Sequence, residues 1–159
     1  MKYPNVEAIV KNLIIRKKTI ATMESCTGGF IASEITNIEG ASSVLKYSAV
    51  TYSNEFKIKM GVDPKIIDRY SVYSPETARD MSKKISTFAH SDYGIGVTGK
   101  LNRPDENNKH GDDNKVFVSL YDKENEKYYE GELVVTKDTR AKNKKMVLDK
   151  IIELFNELE

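Results

Sequence analysis

Thr19-Ile-Ala-Thr-Met-Glu-Ser-Cys-Thr-Gly-Gly29 decides the fold. Thr19 to Met23 reads as a short buried strand, Glu24 to Gly29 as a tight turn, and Phe30 to Ile38 resumes helical spacing before stopping at Gly40. Upstream, Val6, Ile9, Val10, Leu13 and Ile14 recur at the spacing of an amphipathic helix. Downstream, Val44 to Tyr52 is β-prone, Asn54 to Met60 predicts a short helix ended by Gly61, and Pro64 opens another. Ser74-Pro75-Glu76 combines a capping hydroxyl, a proline in the first turn and an acid at the positive end of the dipole. Ala78, Met81, Ile85 and Phe88 then form the expected buried stripe of that helix. Tyr93 to Thr98, Val116 to Tyr121 and Tyr128 to Thr136 predict three further strands, the last two as an antiparallel hairpin. A final helix, Thr139 to Leu158, carries Val147, Ile151, Leu154, Phe155 and Leu158 on one face. Helices and strands alternate early and strands cluster late. The expected class is therefore α/β: a three-layer helix–sheet–helix sandwich with a mixed, partly parallel sheet.

The 159 residues suit one domain, and 39% hydrophobic against 31% charged residues suits a globular core. Lys and Arg number 25 against 24 Asp and Glu, a net charge of +1, so no global field draws nucleic acid or an anionic membrane. The lone Cys26 excludes an intramolecular disulfide and, with two histidines, leaves little material for a metal site. No metal and no cofactor is expected. The N-terminal apolar stretch is too short and too charged for a signal peptide or a membrane span, and a cytoplasmic location is expected. Asn102 to Asn114 has no apolar residue and predicts a solvated loop, expected to stay mobile until a ligand or partner orders it.

Several patterns imitate function. Gly94-Ile-Gly96-Val-Thr-Gly99 spells the dinucleotide fingerprint, but its glycines lie inside a strand and a polar loop with Pro104 follows where a helix is needed. As a P-loop it fails too, because Leu101 stands where a magnesium-holding hydroxyl belongs. Ser43-Val-Leu-Lys46 matches S-x-x-K without the K-T-G element, and Phe56 stands where a Tyr52-x-x-x-Lys pair needs its lysine.

The chemically informative residue is Ser25. A strand delivers it to a turn in which Gly28 and Gly29 let backbone amides crowd close, the geometry of a nucleophile beside oxyanion donors. An ordinary helix cap would read the same way. A serine also needs a base. His90 ends a helix and His110 sits in the polar loop, so no Ser-His-Asp arrangement is suggested. Lys57, just beyond Val50-Thr-Tyr-Ser53, serves if burial leaves it neutral; otherwise it is a surface charge.

Glu24-Ser-Cys-Thr-Gly-Gly29, Gly40-Ala-Ser-Ser43, Val50-Thr-Tyr-Ser-Asn-Glu-Phe-Lys57, Met60-Gly-Val62, Val72-Tyr-Ser74 and Asp92-Tyr-Gly-Ile-Gly-Val-Thr-Gly99 together closely resemble the CinA carboxy-terminal domain. The resemblance runs to Gly99 and returns more faintly in the last strands and helix. It implies deamidation of nicotinamide mononucleotide, with catalysis by Ser25, Lys57 and Tyr52. It also implies substrate binding by Thr27, Gly28, Gly29, Asn54, Thr98, Gly99 and Arg140. Arg140 resembles the arginine of the family's Gly-Asp-Arg motif, here within Lys137-Asp-Thr-Arg140; the neighbouring Lys142, Lys144 and Lys145 read as a solvated helix face. The family's glycine-rich continuation after Thr-Gly is replaced from Lys100 to Asn114. A catalytically weak or inactive member acting as a ligand-binding or protein-interaction module, or an amidase for another substrate, is therefore the alternative. The expected partner is a small nucleotide, with no nucleic acid and no membrane; a homodimer is compatible with the sequence. As it stands the chain lacks the amino-terminal domain of the longer CinA proteins and reads as a stand-alone amidase form.

Overall fold

The computed structural model describes residues 2–102, 106 and 111–158. The polar loop expected at Asn102 to Asn114 thus lies largely outside the described residues, as does His110. Helix α1 (Val6–Arg16) is capped by Asn5, whose side chain accepts from the Ala8 amide, and ends at Lys17 in the left-handed region. Then follow β1 (Ile20–Glu24), α2 (Phe30–Thr36), a 3₁₀ turn at Ala41–Ser43 and β2 (Leu45–Val50). Next come α3 (Asn54–Lys59), α4 (Pro64–Tyr70) and α5 (Pro75–Ala89), the last two opening on capped prolines. The chain closes with β3 (Tyr93–Gly99), β4 (Lys115–Asp122), β5 (Lys127–Val134) and α6 (Arg140–Asn156).

The strands lie in the order β2-β1-β3-β4-β5. β1 runs parallel to both β2 and β3, whereas β4 and β5 continue antiparallel. Every residue of β1 and β3 is buried, as central strands covered on both faces must be. One face carries α1, α2 and α6, whose Leu13, Ile31, Ile35, Val147, Ile151 and Phe155 pack on Ile20, Ile95 and Val118. The other carries α4 and α5, with Ile67, Met81 and Ile85 against Ala21 and Met23. The mixed three-layer sandwich is therefore as expected. Strand alternation sends Thr22 and Glu24 to the first face and Ala21 and Met23 to the second.

Two details differ from the periodicity. Phe88 is 57% exposed rather than part of the α5 stripe. The helix is ending there, and the ring rests on Tyr47 of the edge strand, 5.3 Å between centroids. The final helix is also shorter than expected at both ends, stopping at Asn156.

Gly94 and Gly96 do structural work. A β-carbon on Gly94 would lie 2.0 Å from the Ser82 carbonyl oxygen, and one on Gly96 would lie 2.3 Å from that of Ala78. Helix α5 thus presses its backbone onto β3, helped by its small residues and a Ser82–Ser119 hydroxyl contact of 2.9 Å. Neither glycine is in a nucleotide turn. Gly96→Ala is expected to wedge α5 off the sheet and lower stability by about 3 kcal/mol. Gly131→Ala should lose much less, because its β-carbon meets the flexible Lys150 side chain. Urea denaturation of the two variants checks the difference, and equal losses would contradict the close-approach account.

Candidate active site

The sheet's carboxyl end is where β1 stops and its ladder continues for one more residue. The Ser25 amide donates to the Val97 carbonyl (3.0 Å), and the Thr51 amide donates to the Glu24 carbonyl (2.8 Å). Ser25 is therefore held between β2 and β3 before the chain turns. The turn needs Gly28 (φ 60°) and Gly29 (φ 97°), both in the left-handed region. Behind it, the fully buried Glu24 carboxylate accepts from the Thr27 hydroxyl (2.7 Å) and from the Ile31 and Ala32 amides (2.9 Å each). It ties the turn to the start of α2 and satisfies amides that would otherwise be orphaned.

Helix α3 supplies the second group, and it is built inside out. Ser53 caps it, accepting from the Phe56 amide. Phe56 and Ile58 then face solvent while Lys57, only 2% exposed, turns inward. Lys57 Nζ donates to Ser25 Oγ at 3.1 Å and to the Thr51 carbonyl at 2.8 Å. Lysine is rarely buried without a specific partner. A serine hydroxyl against a buried amine is a nucleophile–base arrangement, the second bond orienting the amine.

Cys26, beside Ser25, is no competitor. Burial pushes its thiol up to about 12, with the Lys57 and Arg140 charges opposing this only in part. It stays protonated at neutral pH.

A model of the CinA C-terminal domain matches residues 3–158. The chain belongs to the CinA C-terminal domain family. Its relatives include competence-damage inducible proteins of Alkaliphilus oremlandii, 46% identical over 97 residues (60% of this chain, 24% of that protein), and of Clostridium kluyveri, 38% identical over 120 residues (74% and 29%). The chain thus spans about a quarter of the length of these relatives. Among solved structures it is similar to the competence/damage inducible protein CihA from Agrobacterium tumefaciens, with a TM-score of 0.84 at 23% identity (96% of this chain, 92% of that one). A CinA superfamily protein from Escherichia coli gives 0.83 at 22% identity (97% and 88%). The shared fold is the content of those two likenesses.

Within this CinA domain the other expected site residues divide. Tyr52 is 65% exposed, and its hydroxyl accepts from Arg140 Nη2 at 3.3 Å instead of meeting the Ser25–Lys57 pair. Arg140 opens α6 and borders the site, since its charge reaches Cys26. Asn54 opens α3, half-buried. Thr27 and Thr98 are fully buried, and their hydroxyls donate to Glu24 and to the Val72 carbonyl (2.9 Å). Both hold the frame and offer no exposed group. Gly99 ends β3 under the Lys115 carbonyl, where a β-carbon would lie 2.5 Å from its oxygen.

Three groups escaped the sequence reading. Glu24 stands next to Ser25, and only the length of the turn hints that its carboxylate closes it. The Thr51 carbonyl carries no sequence signal. Lys144, read as a solvated lysine, is half-buried: a β-carbon on Gly28 would lie 3.6 Å from its Nζ.

Proposed function

We propose that this CinA domain hydrolyses the carboxamide of nicotinamide mononucleotide to nicotinic acid mononucleotide and ammonia through an acyl-enzyme on Ser25. The observation that carries the chemistry is the buried Lys57 amine 3.1 Å from Ser25 Oγ. The substrate follows from the family resemblance, and the chain belongs to the CinA C-terminal domain family.

In the neutral state the Lys57 amine accepts the Ser25 hydroxyl proton while one of its own hydrogens stays on the Thr51 carbonyl. Ser25 Oγ bonds to the carboxamide carbon, and the carbonyl electron pair moves onto oxygen. The Ser25 and Gly28 amides are already bonded, to Val97 and to the Ser25 carbonyl. The amides of Cys26, Thr27 and Gly29 have no backbone acceptor among the described residues, and with Thr27 fully buried the oxyanion donors fall to Cys26 and Gly29. The Lys57 ammonium then protonates the leaving nitrogen, the C–N bond breaks and ammonia departs. Water attacks the ester with Lys57 again as base, releasing the acid and restoring the Ser25 hydroxyl. Direct transfer between Lys57 and Ser25 suffices, since the Tyr52 hydroxyl is bonded to Arg140 instead.

Purified protein incubated with nicotinamide mononucleotide is expected to release stoichiometric ammonia and nicotinic acid mononucleotide, followed by coupled assay and chromatography. Binding of the nucleotide with no ammonia over long incubation would turn the reading to a ligand-binding module. Ammonia from other amides but not this one would redirect it to a different substrate.

A further inference from the structure

Glu24 pairs with Val50 on one side and with Val97 on the other. The Thr51 amide bonds to the Glu24 carbonyl and the Ser25 amide to the Val97 carbonyl, so Thr51, Ser25 and Thr98 form the next row across the three strands. Alternation gives that row one face. Ser25 follows Ala21 and Met23, and Thr51 follows Ala49, all on the side of the sheet that carries α4 and α5. Cys26 obeys the same alternation from the opposite side, where it packs in the core with Ile31 of α2.

Three hydroxyls therefore stand side by side, and they are not equally occupied. The Ser25 hydroxyl meets the Lys57 amine at 3.1 Å. The Thr98 hydroxyl is spent on the Val72 carbonyl at 2.9 Å. Thr51 is only 1% exposed, and its buried hydroxyl has no hydrogen-bond partner among the described residues. Its main chain is committed, the amide to Glu24 and the carbonyl to Lys57 Nζ at 2.8 Å. A buried hydroxyl without a partner costs stability, and a valine of nearly the same shape would avoid that cost. An orphan of this kind calls for a reason, and its neighbours supply one: they are the bond-forming oxygen and its base.

We propose that Thr51 is a catalytic residue of the second half-reaction, its hydroxyl holding the water that hydrolyses the acyl group on Ser25. This role rests on the acyl-enzyme reading of the site. One hydrogen of the water goes to the Lys57 amine, and Thr51 Oγ1 accepts a hydrogen bond from the other. The water oxygen bonds to the acyl carbon as the carbonyl pair moves onto oxygen. That pair returns, the bond to Ser25 Oγ breaks, and the Lys57 ammonium gives its proton back to Ser25. Thr51 is thus idle while the amide is attacked and is engaged once ammonia has gone.

The test separates the two half-reactions. An activated ester, p-nitrophenyl acetate, acylates a reactive serine quickly. Its nitrophenol burst reports acylation, loss of the acetyl mass from Ser25 reports deacylation, and Ser25→Ala gives the blank. Thr51→Val is expected to lengthen the life of acetyl-Ser25 about 10- to 100-fold while the burst rate changes by less than about twofold. Thr51→Ser, which keeps the hydroxyl, should lose the acetyl group within about threefold of the native rate. Urea denaturation should find Thr51→Val at least as stable as the native protein. An unchanged lifetime, a slowed burst, equal slowing of both steps, or a lifetime as long in Thr51→Ser as in Thr51→Val overturns the proposal. No acetyl-Ser25 in the native protein removes Ser25 as nucleophile and this role with it. Ammonia release from nicotinamide mononucleotide judges the substrate separately: a Thr51-dependent lifetime without ammonia keeps this inference and removes that substrate alone.

Discussion

Ser25→Ala is expected to lower kcat by roughly 10⁴-fold or more while the protein folds normally. The substitution removes a hydroxyl that makes one side-chain contact, to Lys57, and leaves both backbone bonds holding the turn in place. Stability should therefore change little, since Ser25 is small and its backbone carries the local structure. Cys26→Ala is the paired control. Its thiol, pushed up to about 12, is protonated at neutral pH and should contribute nothing to turnover. Single-turnover assays with intact-mass detection of the acyl-enzyme distinguish the two residues. An adduct that survives Ser25→Ala, or activity lost with Cys26 alone, removes Ser25 as nucleophile.

Lys57→Arg should be nearly as damaging, with a loss on the order of 10²- to 10⁴-fold, because arginine keeps its charge and cannot take a proton from serine. The native pH–rate profile is expected to rise with pH, as it must for any reaction that uses an unprotonated base. The sign follows from the mechanism: the unprotonated amine is the active form, so raising pH populates it. Lys57→Ala offers a cleaner comparison, since it leaves a hole beside Ser25 that small primary amines can enter. Partial rescue by added ethylamine, with a rate that tracks the free-base concentration, is the expected signature. A flat profile, or near-normal activity in Lys57→Arg, excludes lysine as the base.

Much of the frame was legible in the chain because its driving force is local. The apolar run Ile20 to Met23 between polar flanks could only be a covered strand, and Ser74-Pro75 could only begin a helix. The Gly94–Gly99 pattern was correctly set aside as strand, yet the reason for its glycines was not visible. That reason is α5, whose Ala78 and Ser82 carbonyls meet β3 only in three dimensions. Helix α3 was harder. Its apolar Phe56 and Ile58 face solvent while Lys57 turns inward, so side-chain polarity alone reads Lys57 as a surface charge and the resemblance is what favours it as a base. Lys144 and Lys142 look alike in sequence. Two positions on a helix, 200° apart around its axis at about 100° per residue, give one a glycine turn to lie over and the other open water.

β2 is an edge strand, and edge strands are among the first parts of a sheet to loosen. Thr51, just past its end, gives its amide to Glu24, the residue before Ser25, and its carbonyl to the Lys57 amine. The Ser25 turn and the Lys57 amine are thus tied to one residue. When that margin of the sheet breathes, Ser25 and Lys57 ride the same excursion, so the motion is common to both and largely cancels in the gap between them. A 3.1 Å separation can then persist at a flexing border without the rest of the molecule being stiff.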